Sequence, residues 1–176
     1  MTLSIDLGSV NLGWAKWKDN KLADFGLFNI SEKLSERYLN SNFDTRGEIL
    51  CEWLDQQNDI DTIVVEKQVF NNIIAMSLQY VICGYCHAKH ILYIPFDARR
   101  KFVITGDKYN SKIKEHKRIV VDYAINIIKK YHSELLRSFQ GFSKKDDLAD
   151  AICMSFITSS GMNSEELRSV MKGLDK

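Results

Sequence analysis

One proline, Pro95, and nine glycines are all that 176 residues contain of the two strongest chain breakers. Proline-rich spacers, collagen-like repeats and glycine-rich linkers are excluded by that shortage. No apolar run approaches the ~20 residues that a membrane-spanning helix needs. Cysteine is limited to Cys51, Cys83, Cys86 and Cys153, which form no disulfide framework and suit a reduced, intracellular setting. Cys83-Gly-Tyr-Cys86 has C-x-x-C spacing but no second ligand pair, so it reads as free thiols on a helix and not as a closed zinc site. The histidines His87, His90, His116 and His132 show no metal-ligand spacing, and His87 and His90 read as structural. G-x-S-x-G, Walker A and G-x-G-x-x-G are all missing, which removes the common nucleophile-elbow, P-loop and dinucleotide signatures and with them any expected nucleotide cofactor. The chain starts M-T-L-S-I-D, straight into a strand pattern with no signal or transit segment before it.

The composition that remains is that of an ordinary globular protein, 45% hydrophobic and 27% charged, and its length suits a single domain over residues 1–176. Net charge is only +1, yet it is unevenly spread. Residues 1–66 carry 6 Lys/Arg against 12 Asp/Glu, whereas residues 87–130 carry 11 against 4. A basic block inside a neutral chain makes a local phosphate-binding face.

Hydrophobic periodicity gives the elements. Residues 2–7 read as a buried strand, and residues 12–18 and 22–29 as a hairpin turning at Asp19-Asn20-Lys21, so the first three strands are antiparallel. Helices are expected over 44–57, 72–88, 111–131, 144–159 and 163–174, with short strands at 61–66 and 91–94. Ser143 is the expected cap of the 144–159 helix, with Asp146 three residues on as in a capping box. Helix 72–88 is apolar on nearly every side, which predicts burial on several faces, one of them by a partner subunit. The order is that of an α/β fold with a mixed sheet.

Four acidic residues stand in or beside these apolar elements. Asp6 lies in the first strand, followed by Gly8, Asn11 and Gly13, where the chain turns closely. Glu66 ends the strand T-I-V-V-E. On the late helix, Leu148, Ala151, Ile152, Ser155 and Phe156 make a core stripe. At 100° per residue, Asp147 and Asp150 fall on its half-buried shoulder, and Asp146, held in reserve as a ligand, falls further toward solvent. Carboxylates in such places are costly without a compensating cation. Hard oxygen donors converging from separate elements are the usual way to hold Mg2+. This pattern points to metal-dependent phosphodiester cleavage.

The motifs that carry these residues resemble those of the RuvC-type Holliday junction resolvases. S-I-D-L-G-S-V-N-L-G-W-A is similar to their first motif and V-V-E-K-Q-V-F to their second. V-I-T-G with the lysine-rich helix start is similar to the third, and D-L-A-D-A-I to the fourth. The order holds over residues 3–157, and the lysine-rich third segment also resembles the viral and fungal mitochondrial branches, the poxvirus resolvases among them. The resemblance implies an RNase H-like fold, a five-stranded mixed sheet flanked by helices. It implies a homodimer that cuts four-way DNA junctions with two Mg2+ ions per site, Mn2+ substituting, to leave 5′-phosphate and 3′-hydroxyl nicks. Carried over by position, Asp6, Glu66, Asp147 and Asp150 are the ligands. Lys114 matches the active-site lysine, with Lys112 and Lys117 as close rivals in register, and Phe70 matches an aromatic that contacts DNA at the junction centre. Arg99, Arg100, Lys101, Lys108, Lys112 and Lys117 are the expected phosphate contacts. The location implied is the cytoplasm, a viral replication compartment or the mitochondrion. Other readings are an RNase H-like nuclease acting on RNA–DNA hybrids, a catalytically dead binding module, and an actin-like or sugar-kinase ATPase fragment, whose phosphate loop I-D-L-G-S-V-N-L-G also resembles.

Overall fold

The computed structural model describes residues 1–37, 43–68, 72–107 and 113–174, and of 34–37, 43–44 and 113–114 the backbone alone. Five strands form one sheet: β1 (Thr2–Leu7), β2 (Asn11–Lys18), β3 (Lys21–Asn29), β4 (Thr62–Glu66) and β5 (Leu92–Phe96). Their order is β3-β2-β1-β4-β5. The β1–β2 and β2–β3 pairs are antiparallel, and β4 joins β1 and β5 in parallel. This is the mixed sheet that the sequence predicts. The helices are α1 (Ile30–Arg37), α2 (Phe43–Asp55), α3 (Ile73–Lys89), α4 (Arg100–Thr105), α5 (Ile113–Tyr131), α6 (Leu136–Gly141), α7 (Lys145–Ser159) and α8 (Ser164–Lys172). A 3-10 turn over Ser133–Leu135 leads into α6.

The period of two along each strand divides the sheet into two faces. Leu3, Ile5, Ile63 and Val65 point to one side and pack with Leu50, Trp53, Leu78 and Ile82 of α2 and α3. Ala15, Trp17 and Val64 point to the other and pack with α5, α7 and α8. Helix α7 lies directly on β1 and β2 with α5 over it, so Ala149, Cys153, Met154 and Ile157 are buried as well as the expected stripe. Its close approach depends on glycine: a Cβ at Gly13 would stand 2.3 Å from the Asp147 carbonyl oxygen. Helix α3 buries only Ala75, Leu78, Ile82 and Cys86, leaving Ile73 61% and Tyr80 66% exposed. Among the described residues no helix is long and apolar enough to cross a membrane.

Three short helices were not legible in the periodicity. Helices α4 and α6 have six residues each and no side-chain cap, and α1 is too polar to show a clear apolar stripe. The capping box is also displaced. Helix α7 starts after Lys144, whose backbone (φ −106°, ψ 69°) is still non-helical, and has no side-chain cap, so Ser143 does not cap it. Instead Asn163 accepts from the Glu165 and Glu166 amides, at 3.0 and 3.1 Å, while Glu166 accepts from the Asn163 amide at 2.9 Å.

Because the atoms nearest the would-be Cβ at residue 13 are all α7 backbone, Gly13→Ala must push α7 off the sheet. Overpacking of this kind costs about 1–3 kcal/mol. Chemical denaturation should show that loss, and an unchanged midpoint would mean that α7 does not sit this close.

Candidate active site

Strand pairing brings the first two acids together. Ile5 of β1 is in register with Val65 of β4, and each is followed by a carboxylate, Asp6 and Glu66. Both lie on the face of Ser4 and Val64, which is the face that α7 covers. Asp6 stands opposite Gly13, and Gly13 is where the first turn of α7 touches the sheet. That contact carries Asp147 and Asp150 toward Asp6.

A lysine fills the space among them. Lys101, in the first turn of α4, is only 2% exposed. Its ammonium lies 3.4 Å from Glu66 Oε2 and in close contact with Asp150 Oδ1. Two oxygens sharing one ammonium are within about 6 Å of each other.

The ionisations report the crowding. Burial pushes the Asp6 carboxyl well above the ordinary carboxylate range, the charges of Asp150 and Glu66 push it further, Lys101 pulls back, and Asp147 adds a smaller rise. Glu66 is raised by burial against the pull of Lys101, with Asp150 adding to the rise. Asp147 is raised by burial and by Asp146, with Lys144 and Lys117 opposing. Burial alone would lower Lys101, but Asp150 and Glu66 outweigh it and hold the ammonium above its usual value. Asp150 thus acts on Asp6 more strongly than Asp147 does.

A cavity of about 240 Å³ opens beside this cluster, lined by Glu66, Asp150, Lys101, Phe102, His116 and Lys117, among others. The Lys117 ammonium contacts Asp146. Burial works against the Asp146 charge, but the Lys117 hydrogen bond outweighs it and holds the carboxyl below its ordinary range. His116 packs on Phe102 with ring centres 4.9 Å apart. Four carboxylates and one ammonium leave an excess of negative charge in a half-buried site. Hard oxygen donors with that deficit suit Mg2+ or Mn2+ in chemistry and charge. In the conformation described, Glu66 and Asp150 turn to Lys101, and among the described residues no three His, Cys, Asp or Glu side chains form a group able to hold a metal ion.

The sequence expectations divide accordingly. Asp6, Glu66, Asp147 and Asp150 are brought to one end of the sheet. Lys101 was expected as a surface phosphate contact and is instead buried among the carboxylates, because α4 turns Lys101, Phe102 and Thr105 inward together. No periodic signal marks it, since a six-residue helix with Lys and Thr on its buried side shows no apolar stripe. Of the three lysines in register competition, Lys117 lines the cavity; the Lys114 side chain and all of Lys112 fall outside the described residues, as do Phe70 and Lys108. Arg99, with its side chain 69% exposed, is tied to Asp97 at 2.6 Å, and Arg100 lies 5.9 Å from the Phe96 ring. His116 was not singled out.

Known structures share this arrangement of elements. The yeast mitochondrial Holliday junction resolvase Ydc2 matches 99% of this chain and 86% of its own, at 15% identity and a TM-score of 0.62. Thermus thermophilus RuvC matches 97% of this chain and 95% of its own, at 10% identity and a TM-score of 0.56. The fold is that of the RuvC-type resolvases. RuvC of T. thermophilus in complex with its Holliday junction substrate matches the same shares at 11% identity, with a TM-score of 0.50. In sequence, 98 residues are 33% identical to uncharacterized protein 97L of invertebrate iridescent virus 3, covering 54% of this chain and 46% of that protein. The chain thus aligns with about half the length of the curated relative it matches. No protein-family profile matches the sequence.

On this RuvC-type fold the charge excess makes a prediction about stability without metal. Unfolded carboxylates titrate near ~4. With Asp6, Glu66 and Asp147 raised in the folded state, the native protein holds more protons than the unfolded chain above that pH, so stability falls as pH rises through their native values. Asp6→Asn removes part of this penalty. In chelator near neutral pH its Tm should exceed that of the wild type by about 2–4 °C for each kcal/mol recovered. The gap should close toward pH ~4. Equal Tm values at neutral pH would contradict the charge excess.

Proposed function

We propose that residues 1–176 form one nuclease domain that cuts four-way DNA junctions by metal-dependent phosphodiester hydrolysis, leaving 5′-phosphate and 3′-hydroxyl ends. What carries the reading is the meeting of Asp6, Glu66 and Asp150 around the buried Lys101, with Asp147 beside them, at one end of a RuvC-type sheet. The fold alone would not assign a reaction; the charge excess is the second support. In this reading Asp6, Glu66, Asp147 and Asp150 hold Mg2+, with Mn2+ able to replace it. Bound in such a site, two divalent ions supply an activated water and stabilise the leaving oxygen.

The chain's own groups have separate tasks. Lys101 holds Glu66 and Asp150 near each other, so part of the donor set is oriented in advance. Lys117, with Lys114 and Lys112 as alternatives, offsets negative charge at the phosphate undergoing attack. Arg99, Arg100, Lys108, Lys112 and Lys117 contact the junction arms through phosphates, so affinity falls with salt. Phe70 meets the branch point. Gln79 of α3 fixes the chain that leads to it, accepting from the Gln68 amide at 2.8 Å.

Paired cuts on a junction call for two sites related by a two-fold axis. Helix α3 supplies the face for a homodimer: Ile73, Tyr80 and Gly84 lie on one exposed line at helical spacing, and nothing lies within 4 Å of a Cβ placed at Gly84.

Asp6→Asn and Asp147→Asn should each lower cleavage of a four-way junction by at least about a hundredfold and leave junction binding intact. The assay compares a junction, an RNA–DNA hybrid and plain duplex, with Mg2+ and with chelator. Preference for the hybrid would reassign the substrate, and full cleavage in chelator would end the metal-dependent reading. Separately, sedimentation should show a dimer at micromolar concentration that Tyr80→Asp converts to monomer. A wild-type monomer that still makes paired cuts would rule out the dimer.

A further inference from the structure

Helix α4 has little to hold it in place on its own. It has six residues, no side-chain N-cap, and a left-handed stop at Gly106 (φ 71°). A helix this short is not stable by its own hydrogen bonds. Yet it carries Lys101, whose ammonium must stay among half-buried carboxylates. Phe102 and Ile104 contribute packing, and the polar anchors gather at the C-terminal end of the helix, around Thr105 and Asp107.

They form a continuous chain. Thr105 Oγ1 is 3.1 Å from the Lys101 carbonyl oxygen and 3.3 Å from that of Phe102, and its proton is shared between these and the Tyr123 oxygen. The Tyr123 hydroxyl of α5 lies 2.8 Å from Thr105 Oγ1 and donates to the Asp107 carboxylate just past the helix end. Lys172 of α8 reaches the other oxygen of Asp107 at 2.9 Å. Thr105 is fully buried and Tyr123 nearly so. None of Tyr123, Asp107 and Lys172 lines the cavity beside the carboxylates; all three line a separate cavity of about 290 Å³. Burial and Asp107 push the Tyr123 phenol well up, so its proton stays on oxygen and available to the carboxylate.

We infer that Tyr123, Asp107 and Lys172 form a clamp, outside the site itself, that positions Lys101 by fixing the C-terminal end of α4 to α5 and α8. They are positioning residues and touch neither substrate nor metal. Their importance for cleavage rests on the nuclease reading, whereas the clamp itself does not.

The test reads Lys101 directly. Intact metal-free protein is treated briefly with acetic anhydride, and acetylation of each lysine is followed by peptide mass spectrometry. In the wild type Lys101 should be among the most protected lysines. Tyr123→Phe keeps the ring and Lys172→Met alters a half-exposed group, so both should remain folded. Each should raise the reactivity of Lys101 about tenfold through local opening of α4, with the other lysines unchanged. In the junction assay the same variants should lower kcat and leave KM unchanged. Continued protection of Lys101 in both variants would overturn the clamp, as would a uniform rise across all lysines. If the wild type cuts no nucleic acid at all, the nuclease reading fails and the acetylation pattern still decides the clamp.

Discussion

Negative charge gathered at the end of an apolar sheet is the constraint on which this structure turns. Asp6 and Glu66 follow directly on the core residues Ile5 and Val65, so they cannot move to solvent without pulling β1 and β4 out of register. Asp150 is on a helix buried along almost its whole length. Repulsion among these groups cannot be relieved by side-chain motion alone. It is met by burying an ammonium with them, and Lys101 is the group that does so. Removing one partner from a buried ionic group leaves the others uncompensated, which is more costly than never forming the group. Lys101 is therefore bound up with the integrity of the fold as well as with any chemistry.

Such a cluster needs rigid supports, and small residues provide them. Gly13 and Ala15 on β2 face α7, where Ala149 and Ala151 are small in turn. Close approach of helix to sheet brings a helical carboxylate within reach of a strand carboxylate. Larger residues at these positions would keep the hydrophobic core and separate the acids. The core on the far side of the sheet, from α2 and α3, then holds β1 and β4 against displacement. Two cores flanking one sheet hold the acidic edge in place, and the free energy of burying apolar area offsets its cost.

The sequence was most informative where one periodic rule applied. Apolar strand patterns put Asp6 in one buried strand and Glu66 at the end of another, and 100° steps put Asp147 and Asp150 on one shoulder of α7; the structure brings these four to one end of the sheet. It was least informative where a residue's role depends on a contact distant in the chain. Lys101 sits in R-R-K and looks like part of a basic surface, because the six-residue helix that turns it inward is too short to show a period. Ser143 and Asp146 have the spacing of a capping box, yet Asp146 is taken by Lys117 from 29 residues away. The strand order likewise follows from pairing of β1 with β4, which no local pattern records.

Low identity to known structures beside a shared fold has one physical explanation. A core accepts almost any apolar side chain of suitable volume, so sequence drifts while packing persists. At 10–15% identity the shared fold therefore says little about chemistry by itself. The acidic group is a different kind of observation, since no packing requirement places four carboxylates together and buries a lysine among them. Fold and site are thus independent observations, and only the site bears on the reaction. Two surfaces stand outside the acidic group: the outer line of α3 and the basic residues Arg99 and Arg100 that follow β5. In an RNase H-like nuclease the end of the sheet would set the reaction, and those surfaces would set what can reach it.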